Sequence, residues 1–341
     1  MTPDRFAALR KRIAAIPRIP LALRPTPMVE AKRLARQLGG PRIFVKRDDL
    51  TGIALGGNKL RNLEFRLAHA VAQGADTIIV GLDLQSNSAR QTTGAANSLG
   101  LRTVLVLEGA PPAALQGNLL LDHLLGADVR LARDAAEQRA MLDAAADEVR
   151  AAGGRPYMMS DDPMFEMGSA LAYLDATLEM LEQLAPQGVA PRAFYLSSGG
   201  KGQAGMALAR AALGADFAVR GVTASRRHDV PTRTAAIANR TAEKLGLDAR
   251  VSPDDVINTD AFVGLDYGIP TEAGNEALLL FARHEGVLLD PVYTGKAAAC
   301  LIADIRAGLF GAEDAVVFVH TGGMPAIFTW SEALLAAARG Q

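Results

Sequence analysis

The sequence predicts an α/β protein whose twisted sheets are mostly parallel and covered by helices. Short runs rich in Val, Ile and Leu alternate along the chain with longer segments in which apolar residues recur every three or four positions. An uninterrupted apolar run is typical of a strand that is buried on both faces, as in a parallel sheet between two layers of helices. With 341 residues, 49% of them hydrophobic, the chain is long enough for two medium domains with cores of their own.

The elements follow one another in a regular order. In the first predicted helix Leu63, Leu67 and Val71 recur at helical spacing, and Gly74 ends it. The predicted strands are 43–46, 77–80, 103–107, 128–131, 193–196, 219–223 and 315–319. The predicted helices are 60–74, 89–99, 119–125, 134–152, 203–213, 231–245, 271–286 and 294–308.

This order favours two domains that share a cleft. We expect a larger domain made of 1–60 and 170–341, and a smaller one made of 61–169. In sheets of this type, ligands bind beyond the carboxyl ends of the strands. The loops at those ends are therefore the candidate sites.

Composition and charge narrow the class of protein. The net charge of −1 gives no footprint for nucleic acid, and no apolar run is long enough to span a bilayer. The first five residues lack the layout of a secretory signal, so we expect a cytoplasmic enzyme. Cys300 is the only cysteine and is expected to be a buried structural thiol. The five histidines show no metal-ligand spacing and no G-x-S-x-G elbow is present, so neither a metal site nor serine-hydrolase chemistry is expected.

Lys59 follows Gly56, Gly57 and Asn58 and opens a helical pattern. A lysine in this position can point into a cleft, where its amine can lose a proton and condense with an aldehyde. A lysine just inside a helix is more often a solvated surface residue. The interpretation of Lys59 therefore depends on the other loops.

The segment 85–91 follows the predicted strand 77–80 and contains Ser86, Asn87 and Ser88. Residues of this kind usually cap a helix. Free N–H groups at a helix N-terminus also bind a carboxylate, and this polar run is longer than a cap needs. Both interpretations stay open from the sequence.

A glycine-rich loop joins the predicted strand 193–196 to the next helix and reads Ser197-Ser198-Gly199-Gly200-Lys201-Gly202. Glycines let backbone N–H groups close around a phosphate, and the helix dipole favours its charge. A plain strand–helix turn is the alternative. The loop is not a Walker A motif, because Gly202 stands where Ser or Thr is needed, and it lacks the spacing of a dinucleotide site.

Three more loops, at 264–271, 290–296 and 320–325, carry polar side chains beside Gly or Pro. Tyr267 and Tyr293 are two of only five tyrosines, and Thr321 could offer its hydroxyl to a ring nitrogen. Each of them singly is more often a packing residue. Together, a lysine amine, a phosphate loop, a carboxylate-binding loop and a hydroxyl for a ring nitrogen are the parts of a pyridoxal 5′-phosphate (PLP) site.

At these positions the chain resembles the D-cysteine desulfhydrase and 1-aminocyclopropane-1-carboxylate (ACC) deaminase family of fold type II, tryptophan-synthase-β-like PLP enzymes. The motifs that carry the resemblance are Lys46-Arg47-Asp48-Asp49, Gly56-Gly57-Asn58-Lys59, Gln85-Ser86-Asn87, Asp290-Pro291-Val292-Tyr293-Thr294-Gly295-Lys296 and His320-Thr321-Gly322-Gly323. The resemblance runs from about Pro25 to Phe328, which is most of the chain. It implies an active site in the cleft between the domains, and a homodimer.

The resemblance also implies a role for each matching residue. Lys59 would bind the cofactor covalently and act as the catalytic base, and Tyr267 and Tyr293 would face the substrate. Ser86, Asn87 and Ser88 would bind the substrate carboxylate, and Ser86 or Tyr293 would relay protons. The implied cofactor contacts are Asn58 near the phosphate, Asn87 at the pyridine 3′-oxygen, Thr321 at the ring nitrogen, and Ser198, Gly199, Gly200, Lys201 and Gly202 around the phosphate.

The sequence departs from the family pattern at three places. Ser88 stands where desulfhydrases usually have His or Gln, and Lys201 and Gly202 replace a Gly and a Thr of the phosphate loop. A segment that contains Asp161 and Asp162 replaces a Gly-Gly-Ser segment. These carboxylates would either favour a cationic substrate group or form solvated surface.

We therefore expect a PLP-dependent lyase that acts on a small amino acid by α,β-elimination, with D-cysteine giving pyruvate, sulfide and ammonia. Thr294 and Thr321 favour this branch, because ACC deaminases have Glu and Leu there. The alternatives are another lyase, ACC deaminase or racemase of the same family, and a PLP-binding protein without turnover. A P-loop kinase is disfavoured by Gly202.

Overall fold

The computed structural model of the protein describes residues 3–112 and 114–340. Ten strands lie within these ranges. In chain order they are β1 (Met28–Glu30), β2 (Arg42–Arg47), β3 (Thr77–Asp83), β4 (Arg102–Glu108), β5 (Asp128–Ala132), β6 (Pro156–Met158), β7 (Ala193–Ser197), β8 (Ala218–Val222), β9 (Ile257–Thr259) and β10 (Ala315–His320). All seven strands predicted from the sequence are present, and the three short strands β1, β6 and β9 were not anticipated.

The strands form two sheets. The larger sheet has the order β1-β2-β10-β7-β8-β9 and the smaller has the order β5-β4-β3-β6. Every strand pair is parallel except β1 with β2. The predicted α/β fold with mostly parallel sheets is therefore confirmed. The domain limits at 60/61 and 169/170 stay a prediction.

Helices cover both sheets. They are α1 (Pro3–Ala14), α2 (Lys32–Leu38), α3 (Lys59–Ala72), α4 (Asn87–Ser98), α5 (Gly117–Leu124), α6 (Ala135–Ala151), α7 (Met164–Leu184), α8 (Lys201–Leu213), α9 (Val230–Leu245), α10 (Glu272–Glu285), α11 (Thr294–Arg306), α12 (Ala326–Thr329) and α13 (Ser331–Arg339). Three of them, α4, α5 and α8, begin two residues earlier than predicted. Asn87 and Lys201 are consequently the first residues of α4 and α8, where N–H groups are free of helical partners.

The helix α7 was missed by the sequence analysis, although its 21 residues make it the longest in the described chain. Sixteen of those residues are buried, on all sides of the helix. A helix that is buried all round shows no alternation of apolar and polar faces, so the periodicity used to find the other helices is weak here. It packs against α3, α8 and α9 in the centre of the molecule.

Buried ion pairs join α3, α7 and the end of β2. The Arg61 guanidinium donates to the Asp48 carboxylate at 2.8 Å and to both Glu179 oxygens at 2.8 and 3.0 Å. Lys46 Nζ donates to Glu179 Oε1 at 2.6 Å. Two cations and two carboxylates therefore neutralise one another, and all four side chains are less than 10% exposed. We refer to these four residues as the buried ion network.

The single thiol lies as expected. Cys300 is buried in α11, and burial followed by the charge of Asp304 raises its pKa to about 12. A thiol with so high a pKa is a poor nucleophile. In the described part of the chain, no helix is both long enough and apolar enough to cross a membrane.

Candidate functional site

A cavity of about 290 Å³ opens between the two sheets, with a smaller one of about 80 Å³ beside it. Nearly all residues singled out from the sequence line one or both cavities. The larger is lined by Asn58, Lys59, Ser86, Ser88, Ser198, Gly199, Lys201, Gly202, Tyr267 and Tyr293, and the smaller adds Asn87 and Thr321. Gly200 alone of the set lines neither. A third, larger cavity of about 610 Å³ lies around the amino ends of β7 and β8 and contains none of these residues.

Lys59 is presented by a backbone segment of unusual shape. Ala54, Leu55, Gly56 and Gly57 all have positive φ, at 50°, 64°, 65° and 122°. Such angles disfavour side chains with a Cβ, so Ala54 and Leu55 are held there by their surroundings. At Gly57 a Cβ would lie 2.6 Å from Gln91 Nε2, which explains the second glycine of the motif.

The same segment is tied to the end of β10. The Asn58 N–H donates to the Thr321 carbonyl at 3.0 Å, and a Cβ on Gly322 would lie 2.9 Å from Gly57 Cα. Thr51 Oγ1 accepts from the Gly57 N–H at 2.7 Å. The close approach of these loops brings Lys59 and Thr321 to the same small cavity.

The surroundings of the Lys59 amine disfavour its protonated, charged form. Burial, and then the charge of Arg66, lower the pKa of Lys59 from 10.5 to about 8. A larger fraction of the amine is therefore neutral near physiological pH than for an ordinary lysine. A neutral amine is the form that attacks an aldehyde and accepts a proton.

Ser86, Asn87 and Ser88 form the turn into α4. Ser86 is the N-cap, and its Oγ accepts from the Ser88 N–H at 3.1 Å. Asn87 Oδ1 accepts from Asn118 Nδ2 at 3.0 Å and from Arg90 Nη2 at 3.4 Å. Because both donors hold the oxygen, the Nδ2 group of Asn87 is the one left to donate to a ligand. Both interpretations of this run, a cap and a ligand-binding turn, are thus compatible with the structure.

Arg90 connects this turn to the segment before Lys59. Its Nη1 donates to the carbonyls of Ala54 and Gly56, and its Nε donates to Asn118 Oδ1 at 2.8 Å. Arg90 is 1% exposed, so these bonds are made away from water. One side chain therefore fixes both the left-handed segment and the amide orientation of Asn87.

The glycine-rich loop leads from β7 into α8. Ser198 Oγ accepts from the N–H groups of Gly200 and Gln203, so it caps the helix in addition to lining the cavity. Gly200 has a φ of 108° and is the residue before the helix, which accounts for a glycine there. A Cβ on Gly202 would lie 3.2 Å from the Tyr173 ring, so a larger residue would crowd that ring.

The two predicted tyrosines meet in the cavity. Their hydroxyl groups form a short hydrogen bond, and their rings pack edge to face with centroids 6.0 Å apart. Burial raises the pKa of Tyr293 well above its usual value and that of Tyr267 to about 12. Both phenols therefore keep their protons at neutral pH.

The loop after α10 orients Tyr293. The Asp290 carboxylate accepts from the backbone N–H groups of Val292, Tyr293 and Thr294 at 2.8–2.9 Å, and from Thr294 Oγ1 at 2.6 Å. Gly323 leaves room for this carboxylate, since a Cβ there would lie 2.5 Å from it. Thr294 is consequently occupied within the protein rather than directed to a ligand.

The two carboxylates of the acidic segment, Asp161 and Asp162, do not line the cavity. Asp161 is paired with Arg139 at 2.8 Å on the surface, and Asp162 contacts His69 at 3.1 Å and the Met164 N–H at 2.7 Å. Neither carboxylate lines the cavity, which speaks against their recognising a cationic substrate group. Asp161 is solvated surface as the alternative states, whereas the Asp162 side chain is half-buried. The same segment supplies the cavity with Phe165 instead.

Several cavity residues were not anticipated from the sequence. They are Asn62 and Arg66 of α3, Phe165, Ser169 and Tyr173 of α7, and Asp83, Arg227, His228 and Arg233 at the rim. A signal existed for Asn62 and Arg66, because they follow Lys59 by three and seven residues and so share its helix face. The α7 residues could not be found because the helix itself was missed.

Known proteins resemble this chain over nearly its whole length. The family model described as "Pyridoxal-phosphate dependent enzyme" matches residues 19–322. The D-cysteine desulfhydrase of Klebsiella pneumoniae subsp. pneumoniae is 39% identical over 327 residues, which cover 94% of this chain and 98% of the relative. That of Salmonella paratyphi C is 38% identical over 325 residues, covering 93% and 97%. A crystal structure described as an ACC deaminase homologue superposes with a TM-score of 0.85 at 32% identity, covering 99% of this chain and all of the other.

Proposed function

Because the chain belongs to the pyridoxal-phosphate dependent enzyme family and has the type II fold, we propose that it is a lyase that cleaves a small amino acid by α,β-elimination. We propose D-cysteine as the substrate, with pyruvate, sulfide and ammonia as products. One observation carries the proposal: Lys59, the turn at Ser86–Ser88 and the tyrosine pair line adjoining cavities. The names of relatives that are 38–39% identical support the choice of substrate.

Polar groups of the protein around the cavity are suited to bind the phosphate of PLP. Two buried atoms near the glycine-rich loop that can donate a hydrogen bond have no partner within the described residues: Arg66 Nε and Thr234 Oγ1. A Cβ on Gly200 would lie 3.1 Å from the Thr234 hydroxyl, so this hydroxyl adjoins the loop directly. Buried polar groups are normally paired, and the start of α8 favours an anion. Unpaired groups beside a helix N-terminus indicate that a phosphate completes this end of the cavity.

When bound, PLP supplies an electron sink that stabilises negative charge on the substrate α-carbon. Lys59 would hold the cofactor aldehyde and, once freed, accept the α-proton at Nζ, for which a pKa of about 8 suits it. The N–H groups at the start of α4, with Ser86 and Ser88, would bind the substrate carboxylate. Tyr267 and Tyr293 would donate a proton to the leaving group. Thr321 would contact the ring nitrogen, and Asn87 Nδ2 the ring oxygen.

A substitution of Arg90 tests how far this residue positions Asn87 and the segment before Lys59. Replacing Arg90 by Gln removes the hydrogen bonds that fix Asn87 and the left-handed segment before Lys59. Because small displacements of catalytic groups are costly, we expect kcat with D-cysteine to fall about 10- to 100-fold with a smaller change in KM. The visible absorbance band of bound PLP should also shift, since Asn87 would polarise the ring oxygen. The measurements are steady-state kinetics and an absorbance scan.

Asn118→Ala serves as the companion variant for Arg90→Gln. It removes the 3.0 Å hydrogen bond to Asn87 but leaves the carbonyls of Ala54 and Gly56 bound to Arg90. We expect the band to shift in both variants and the larger loss of kcat in Arg90→Gln. An unshifted band in both would show that the orientation of Asn87 does not depend on these residues.

The test of the proposed function is the measurement of products from D-cysteine. Purified protein with PLP is incubated with D-cysteine, and pyruvate and sulfide are assayed separately. Equal amounts of the two are expected, with little product from L-cysteine. The Lys59→Ala variant corrects for the direct reaction of cysteine with free PLP. A shifted absorbance band without pyruvate would contradict the D-cysteine reaction while leaving the cofactor in place.

ACC deamination is a second candidate, because the ACC deaminase homologue is 32% identical over the whole chain. It would release ammonia and 2-oxobutanoate without sulfide. The hydroxyl of Thr294, at a position where ACC deaminases have Glu, is bound to Asp290 at 2.6 Å and offers no acid to the cavity. This favours the desulfhydrase reaction over ring opening, and a racemase would be recognised by inversion of the amino acid without a 2-oxo acid.

We further propose a homodimer in the cytoplasm, without a nucleic-acid or membrane partner. The near-neutral net charge of −1 supports the lack of a nucleic-acid partner. The dimer rests on the resemblance, and light scattering of the purified protein would test it.

A further inference from the structure

We propose that Arg66, which is buried, and Lys201, which is half-buried, form a cation pair that binds the phosphate of the cofactor. The inference rests on the PLP cofactor and not on the identity of the substrate.

Arg66 lies on the cavity face of α3. It follows Lys59 by seven residues, which is two helical turns, and Asn62 lies between them on the same face. All three line the cavity. Lys201 enters the same cavity from the first residue of α8. The two cations therefore approach one space from different helices.

The ring of Phe165 lies against both cations. The Arg66 guanidinium carbon lies 4.5 Å from the ring centroid and Lys201 Nζ lies 3.8 Å from it. Aromatic faces attract cations, but they do not neutralise a charge. Phe165 thus places the two charges close together while leaving both of them available to an anion.

Arg66 has no carboxylate within 4.0 Å among the described residues, although it is only 2% exposed. Its hydrogen bonds come from Nη2 alone, to the Phe165 carbonyl and to Ser169 Oγ at 2.6 Å. Its Nε is buried without a partner. Burial lowers the pKa of Arg66 to about 10, as expected for a guanidinium without a carboxylate in contact.

The amine of Lys201 likewise lacks a partner in the described part of the chain. No hydrogen bond or ion pair of its amine occurs within 3–112 and 114–340, and burial lowers its pKa well below 10.5, helped by the charges of Arg66 and Arg233. The nearby carboxylate of Glu166 is already shared by Arg233 at 2.7 Å and Arg240 at 2.6 Å. It is therefore not free to neutralise Lys201.

The cations of the buried ion network have carboxylate partners, whereas Arg66 and Lys201 have none among the described residues. In the network, Arg61 and Lys46 face two carboxylates at 2.6–2.8 Å. A cation that is withdrawn from water without a partner is costly, and this cost applies to Arg66 in full and to the half-buried Lys201 in part. A phosphate carries about −1.5 to −2 charges near neutral pH, which matches the two cations. The anion that belongs here is therefore the cofactor phosphate.

The pair also accounts for the unusual phosphate loop. Gly202 offers no hydroxyl, and a Cβ there would lie 3.2 Å from the Tyr173 ring. Lys201, one residue earlier, and Arg66, from another helix, supply charge in its place. Binding of the phosphate should accordingly depend on ionic strength, because counter-charges in a cavity open to solvent are screened by salt.

The test compares two ligands that differ only in the phosphate. Affinities for PLP and for pyridoxal are measured by absorbance titration of the cofactor-free chain, for the wild type and for Arg66→Met, Lys201→Met and the double variant. Each single variant should lose about 10- to 100-fold in affinity for PLP, because charge-assisted hydrogen bonds are lost. Affinity for pyridoxal should not fall. Arg66→Lys should recover part of the loss.

Arg227→Gln is the matched control. Arg227 also lines the cavity, but its charge is paired with Asp83 at 3.0 Å. Its ratio of PLP to pyridoxal affinity should equal that of the wild type. A second readout is the melting temperature, which inorganic phosphate should raise in the wild type and in Arg227→Gln but not in the double variant.

The outcomes separate this inference from the proposed reaction. If the double variant keeps the wild-type ratio of PLP to pyridoxal affinity, the cation pair is not the phosphate site. If the ratio falls but D-cysteine yields no pyruvate, the pair stands and the substrate assignment fails. Circular dichroism of each variant excludes unfolding as the cause of a lost affinity, and Lys201→Met, on the helix end, disturbs the core less than a change at Arg66.

Discussion

Replacing Lys59 by Ala is expected to abolish the visible absorbance of protein-bound PLP and to lower lyase activity at least about a thousandfold. Lys59 would supply two functions at one atom: the covalent attachment of the cofactor and the base that takes the α-proton. The lowered pKa, near 8, suits both, because each requires the neutral amine. The variant should still bind PLP noncovalently, since the phosphate end of the cavity is untouched.

The control for Lys59→Ala is the second cavity lysine. Lys201 lines the same cavity and its pKa is also lowered, so a lowered pKa alone does not identify the cofactor lysine. In Lys201→Met the visible band should persist at saturating PLP. Borohydride reduction followed by peptide mass analysis should place the cofactor on Lys59 in the wild type. Reduction that labels Lys201 instead would reverse the two assignments.

The sequence was sufficient to identify those site residues that lie together in one short segment of the chain. Each candidate loop lies directly after a strand or before a helix, so a short window of residues revealed it. Lys59 and the run from Ser86 to Ser88 were found in this way, and the structure brings them to adjoining cavities. The alternation of apolar strands and helices likewise predicted the parallel sheets, because a strand that is buried on both faces is a nearly continuous run of apolar residues.

The sequence was insufficient where function depends on contacts between distant segments. Arg66 looks like an ordinary polar residue of an amphipathic helix until α7 covers it. Asp161 and Asp162 were candidates for the cleft because their segment replaces a Gly-Gly-Ser segment of the family pattern, yet they face Arg139 and His69. Which partner a charge meets is set by packing between elements, and a single sequence does not record it.

Charge pairing in the core leads to the largest expected change in stability. Replacing Arg61 by Met should lower the free energy of unfolding by about 3–5 kcal/mol, because Asp48 and Glu179 are left buried with only Lys46 between them. The measurement is urea unfolding of the cofactor-free chain at neutral pH. Arg130→Met is the matched control, since Arg130 also bridges two carboxylates, Asp128 and Glu148, which are 50% and 60% exposed. Its effect should stay within about 1 kcal/mol.

The pH dependence distinguishes a lost ion network from a simple packing defect. Burial alone would raise the pKa of Glu179, but the hydrogen bonds and charge of Arg61, with those of Lys46, lower it from 4.5 to about 2. The unfolded chain therefore binds more protons, and wild-type stability contributed by Glu179 falls as the pH drops from about 4.5 towards about 2. Without Arg61 this stabilisation is absent, and protonation of the buried carboxylates becomes favourable. The difference between the wild type and Arg61→Met should accordingly shrink at about pH 4 relative to neutral pH, whereas a packing defect would leave it constant.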